Sequence, residues 1–162
     1  MTAHQGASLE AIERIYRSRL AQFRRVATAI SGDRELGYEA VQEGFALAVR
    51  RRADFRGEGS LEAWLWRIVL NAARSQRRRS DQVLPADPPA GNGHVDAAAE
   101  HLRAAMALLS DRQRLVLFLH YYADLDYAAI AEALGIASGT VGATLHSARA
   151  ALRRLLEEER VR

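Results

Sequence analysis

Proline occurs at only three positions, Pro85, Pro88 and Pro89, all inside the stretch Ser80-Asp81-Gln82-Val83-Leu84-Pro85-Ala86-Asp87-Pro88-Pro89-Ala90-Gly91-Asn92-Gly93-His94. A proline ring removes an amide donor and clashes with the preceding helical turn, so helices avoid this stretch and are free to form on either side of it. Glycine and small polar residues around the prolines complete the pattern of a linker. The expectation is an all-α protein of two small helical domains: residues 1–79, a flexible linker at 80–95, and residues 96–162. There is no internal repeat.

Hydrophobic spacing supports helices in both flanks. In the first, Leu9, Ile12, Tyr16, Leu20, Phe23, Val26 and Ile30 recur every three or four residues and stop at Ser31-Gly32-Asp33. Asp33 can cap a second helix with Leu36, Ala40, Val41, Phe45, Ala48 and Val49 inward, ending in Arg50-Arg51-Arg52. The loop Asp54-Phe55-Arg56-Gly57-Glu58-Gly59 leads to Ser60, a second cap with Glu62 in the following turn. The third helix places Leu61, Trp64, Leu65, Ile68, Val69 and Ala72 on its apolar stripe and ends basic, through Arg74, Arg77, Arg78 and Arg79. On this reading Trp64 belongs to the core, and Trp66, off the stripe, is the exposed ring.

The second flank opens with Leu102, Met106 and Leu109 on one helix. Ser110-Asp111-Arg112-Gln113 forms a capping box for the next, which buries Leu115, Val116, Phe118 and Leu119. Asp126 to His146 then has the layout of a helix-turn-helix. Ile130 and Leu134 are the apolar residues of a short helix, Gly135 suits a left-handed turn, and Ile136 can plug the angle. A second helix starts near Ser138 with Val141, Leu145, Ala148 and Leu152 facing inward. In a DNA-binding version its outward side chains enter the major groove; the same layout also serves an ordinary helical hairpin.

Charge narrows the choice of partner. All 23 basic residues are arginine, which binds phosphate and stacks on bases better than lysine does. Residues 1–79 carry 15 arginines against 9 acids, a net +6; residues 80–99 carry −3, and residues 100–162 balance to zero. The basic partner surface therefore belongs to the first flank. Glycines at 57 and 59, the rings of Phe55, Trp64 and Trp66, and Arg56, Arg67, Arg74, Arg77, Arg78 and Arg79 form the combination that an unpaired nucleic-acid strand needs. Arg77-Arg78-Arg79 also fits a plain solvated helix end.

Other chemistries find little support. Cysteine is absent, which excludes disulfides and thiolate metal sites. His4, His94, His101, His120 and His146 lack ligand spacing, and neither a phosphate loop nor a nucleophile elbow appears. Glu35, Glu39, Gln42 and Glu43 share a helix face, better suited to solvent or a partner than to acid–base work or a metal. No run of about 18 apolar residues suggests a membrane span, and the start lacks a signal-peptide profile. We expect a cytoplasmic, non-enzymatic protein with no cofactor, no metal and no membrane insertion.

These segments together resemble the extracytoplasmic-function (ECF) class of bacterial RNA polymerase sigma factors. Arg34-Glu35-Leu36, Val41-Gln42-Glu43-Gly44-Phe45 and Phe55 through Asn71 look like sigma region 2. Leu109-Ser110-Asp111-Arg112-Gln113-Arg114, Tyr121-Tyr122, Tyr127 to Ala131, Gly139-Thr140-Val141 and Leu145 to Arg149 look like region 4. The resemblance implies a promoter-specificity subunit that binds core RNA polymerase through its clamp helices and flap, together with promoter DNA, duplex and single-stranded. It also implies an anti-sigma factor as partner. Glu39, Gln42, Glu43 and Phe45 would contact the polymerase. Arg56, Gly57, Ser60, Trp66, Arg67, Asn71 and Arg74, continued by Arg77 and Arg78, would hold the melted minus-ten strand. Ser138, Thr140, Ala143, Thr144, His146 and Arg149 would meet the minus-thirty-five element.

The chain departs from the family pattern in region 2, where Ser75 stands for a frequent Asp and Glu39-Ala40 for Asp-Leu, and at four positions in region 4. Gly142, Ala143 and Thr144 stand where Lys-Ser-Arg is usual, and Ser147 stands where an arginine follows the histidine. The loss of cations implies weak or atypical minus-thirty-five recognition, since phosphate contacts carry much of the affinity. Two alternatives follow: a sigma-like helix-turn-helix regulator with weak or absent promoter reading, and a helix-turn-helix protein that binds duplex DNA without polymerase.

Overall fold

The ends of the helices are written in capping residues. In the computed structural model, which describes residues 6–82 and 97–161, Ser8 accepts from the Ala11 amide (3.1 Å) and opens α1 (Leu9–Ser31). Gly32, at φ 80°, closes it. Asp33 accepts from the Leu36 amide (3.0 Å) and opens α2 (Arg34–Arg50). A 3-10 turn at Arg52–Asp54 leads into the glycine loop. Ser60 Oγ accepts from the Ala63 amide (3.0 Å) and opens α3 (Leu61–Gln82). Ser80, Asp81 and Gln82 thus continue α3 into the stretch read as linker, because the first proline is still some residues away.

The remainder of the stretch read as a linker lies outside the described residues, and after it come α4 (Ala97–Ala107) and α5 (Asp111–Tyr121). At the start of α5, Ser110 and Gln113 make both bonds of a capping box. Asp126 caps α6 (Tyr127–Leu134), Gly135 at φ 66° ends it, and α7 (Ser138–Arg160) follows. The helix-turn-helix is therefore present as read. Leu109 lies in the turn after α4 rather than on it, and Leu102 is exposed rather than packed. In α5, Leu117 is buried where Phe118 was expected; Phe118 is half-buried and stacks on Tyr122 instead.

Helices α1, α2 and α3 surround Phe23, Val26, Val41, Leu65, Trp66 and Val69. Small residues let them approach closely: a Cβ on Gly37 would sit 2.6 Å from the Thr28 backbone, and one on Gly44 would sit 2.8 Å from Val69. The second core gathers Val116, Leu119, Ile130, Val141, Leu145 and Ala148. The inner face foreseen for α7 is thus the one buried. The two cores are continuous, because α3 packs against α6 and α1 approaches α5. Among the described residues there is no strand, and no single helix is long and apolar enough to cross a membrane.

Candidate nucleic-acid interface

Helix α3 is the element on which the site is built, and its buried face is not the one its apolar spacing suggested. Ala63, Leu65, Trp66, Val69, Leu70 and Ala73 are buried, while Leu61, Trp64, Ile68 and Ala72 are only partly covered. The helix has neighbours on more than one side, α1 and α2 and also α6, so one-sided periodicity misplaced its centre. Trp66 is the casualty. Expected as an exposed contact for a base, its ring is fully buried and stacks on Phe23 (centroids 3.9 Å apart, 19° between planes). Its Nε1–H finds no acceptor among the described residues. Trp64, expected in the core, is the half-buried ring, and tilts against Phe55 at 5.6 Å.

The other residues expected to hold a strand are exposed. Arg56, Gly57, Ser60, Arg67, Asn71, Arg74, Arg77 and Arg78 all lie at the surface. Gly57 (φ 73°) and Gly59 (φ 80°) give the loop a left-handed path that other residues resist. Arg74, Arg77, Arg78 and Arg114 line a cleft of about 360 Å³ between the first and second units. Within it Arg77 lies 3.9 Å from Asp111, which also pairs with Arg114.

At its N-terminal end α3 is engaged by α6. The Ser60 amide donates to Glu132 Oε2 (2.9 Å), and Arg67 Nη2 donates to the Glu132 backbone carbonyl (2.8 Å). Glu132 was not foreseen. It is a surface residue of a short helix, more than sixty positions along the chain from either partner, and no local pattern marks it.

On α2, Glu39, Gln42 and Glu43 are exposed on one face, as expected. Glu43 is partly occupied: its Oε2 accepts from Gln76 Nε2 (3.1 Å) and Arg79 Nη2 (3.4 Å). Phe45, grouped with these as a polymerase contact, is buried and makes edge-on contacts with Tyr16 and Phe23, both at 5.0 Å. Its role is to support the face from beneath, since a ring at an inward heptad-like position has nothing left to offer a partner.

On α7, Ser138, Ala143, His146 and Arg149 are exposed, and Thr140 and Thr144 are half-covered. The missing side chain at Gly142 is matched by a neighbour: a Cβ there would lie 3.4 Å from the Tyr127 ring. Arg149 Nε donates to the Tyr121 hydroxyl (2.8 Å), which raises the guanidinium pKa above its ordinary value. Ser147 Oγ accepts from Gln113 Nε2 (3.2 Å) and so ties α7 to α5 instead of presenting a cation. Among the described residues no group of histidine and carboxylate side chains could hold a metal ion.

A basic, loop-led helix in one helical unit and a helix-turn-helix in another define a two-part sigma architecture. Residues 15–83 match Sigma-70 region 2 and residues 99–152 match Sigma-70, region 4. The chain is 31% identical to the ECF RNA polymerase sigma factor SigM of Mycobacterium tuberculosis H37Rv, over 96% of this chain and 82% of that one. It is 27% identical to the RNA polymerase sigma factor YlaC of Bacillus subtilis, over 94% and 98%. Among solved structures it is similar to the sigma factor RpoE of Bartonella quintana in complex with the anti-sigma factor NepR. That match has a TM-score of 0.70 and 26% identity, and it covers 92% of this chain and 98% of RpoE. The chain belongs to the ECF sigma factors and is a promoter-specificity subunit of bacterial RNA polymerase.

Proposed function

We propose that the chain works as a two-domain binding device with no catalytic residues of its own, acting with core polymerase in the cytoplasm. Residues 1–82, to the end of α3, form the polymerase-binding and strand-melting domain, and residues 96–162 the duplex-reading domain, with a linker between them. The observation that carries this reading is the exposed row Arg56, Arg67, Asn71 and Arg74 beside the glycine loop, on a helix whose opposite side is locked into the core. Guanidiniums set along a fixed helix, with the Asn71 amide among them, can follow a strand's phosphates and stack on its bases. Pulling a base from the duplex costs a few kcal/mol, offset by such contacts and by the polymerase complex as a whole.

The exposed carboxylates of Glu39 and Glu43 and the Gln42 amide supply the face for the polymerase clamp helices, while the second domain also meets the flap. Helix α7 meets the minus-thirty-five element through Ser138, Thr140, Ala143, Thr144, His146 and Arg149. Only one of these is a permanent cation, which favours weak, shape-led recognition over strong phosphate attraction. The likeness to a sigma factor solved with NepR supports an anti-sigma factor as a further partner. The test is run-off transcription with purified core polymerase and a genomic promoter library. Specific initiation is expected. Polymerase binding without initiation would instead select a sigma-like protein that no longer reads promoters, and duplex binding independent of polymerase would select a stand-alone regulator.

A further inference from the structure

We propose that Glu132 is an internal latch: it seats the helix-turn-helix on the strand-gripping end of α3 and holds the free chain closed. The proposal rests on the strand role assigned above to Ser60 and Arg67. A helix N-terminus with free amides and an arginine one or two turns along is a seat for an anion. Here the anion is the chain's own carboxylate, Glu132 Oε2 on the Ser60 amide at 2.9 Å, with the Glu132 carbonyl on Arg67 Nη2 at 2.8 Å.

The surrounding shape fits the same contact. A Cβ on Gly59, which has φ 80°, would lie 2.6 Å from the Glu132 carboxylate, so a side chain at position 59 would push the carboxylate from its present place. On the other side, a Cβ on Gly135 would lie 3.3 Å from Arg67 Nη2. One amide hydrogen cannot serve a carboxylate and a strand phosphate together. Gripping the strand through Ser60 and Arg67 therefore requires α6 to leave. The polar contact is solvent-exposed and adds a modest increment to the packing of α6 on α3, and closure lowers apparent strand affinity by the fraction of chains that are open.

The chain has no cysteine, so a pair of spin labels can be placed on exposed positions of the full-length protein through Ser18→Cys on α1 and Ala150→Cys on α7. Pulsed electron paramagnetic resonance should give one narrow distance distribution for the parent chain and a longer, broader one for Glu132→Ala. Glu132→Gln, which keeps the shape and loses the charge, should fall between them. Anisotropy with a labelled 20-nucleotide single-stranded DNA of random sequence should show Glu132→Ala binding about three- to tenfold more tightly than the parent, the range expected for losing one ordinary solvent-exposed hydrogen bond. Superimposable distances in the three proteins would overturn the latch, and opening without tighter strand binding would overturn its competition with the strand. Run-off transcription by the parent holoenzyme tests the sigma role separately, because the distances report closure whatever the chain does at a promoter.

Discussion

Trp66 and Trp64 lie two positions apart on one helix and exchange the roles that spacing assigns them. Trp66 stacks on Phe23 in a close-packed interior, so Trp66→Ala should cost about 3–5 kcal/mol of stability, measured by urea denaturation, as large-to-small changes in cores do. Trp64→Ala should cost clearly less, since its ring is already partly in water. The exposed arginines behave in the opposite way. Arg56→Ala or Arg74→Ala should leave the unfolding curve within about 0.5 kcal/mol of the parent, as for surface changes generally. Each should weaken open-complex formation and lower its salt dependence by about 0.7 of a counterion, the value for one contact to a single strand. A potassium-permanganate footprint at several salt concentrations checks both.

Helix α7 is well folded, yet few of the exposed side chains between Ser138 and Arg149 carry positive charge. Val141, Leu145 and Ala148 fix its orientation, but Gly142 weakens it by about 1 kcal/mol relative to alanine. The space for a Cβ is open up to ordinary contact with Tyr127 at 3.4 Å. Gly142→Ala should therefore raise stability by up to about 1 kcal/mol in a thermal melt, with little change in DNA affinity. Gly142→Lys should add about one phosphate contact, steepening the salt dependence of duplex binding by about 0.9 in the log–log slope. Equal slopes for Lys and Ala variants would show that this face of α7 does not approach a phosphate. At α5, Ser110→Ala removes one half of the capping box and should cost about 1 kcal/mol.

For the whole molecule, the decisive feature is that α3 is covered by α6 as well as by α1 and α2, so the two cores run into one another. Calorimetry of the parent chain should then show one cooperative transition, because neither unit unfolds without exposing apolar surface of the other. Two resolved transitions would mean that the units behave independently. The ion pair between Arg77 and Asp111 also crosses between units, but at 3.9 Å and largely exposed it adds little, within the 0–1 kcal/mol typical of surface pairs. Arg77→Ala should leave that single transition in place, whereas removing the Glu132 contact should loosen it.

Local chemistry determined most of the skeleton. Caps at Asp33, Ser60 and Ser110, the turn at Gly135 and the confinement of proline to 85–89 are effects of near neighbours on backbone geometry, so they could be read directly from the order of residues. The helix-turn-helix and the sigma-like segments were legible for the same reason. What only the packed chain decided was which side of each helix is covered. Periodicity gives a helix one inner face, but α3 has neighbours on more than one side, so Trp66 went in, Trp64 came partly out, and Phe45 became a support rather than a contact. Glu132 is the extreme case. Its meaning comes entirely from Ser60 and Arg67, brought within hydrogen-bonding distance across more than sixty residues of chain, and such a contact exists only once the whole fold has closed around it.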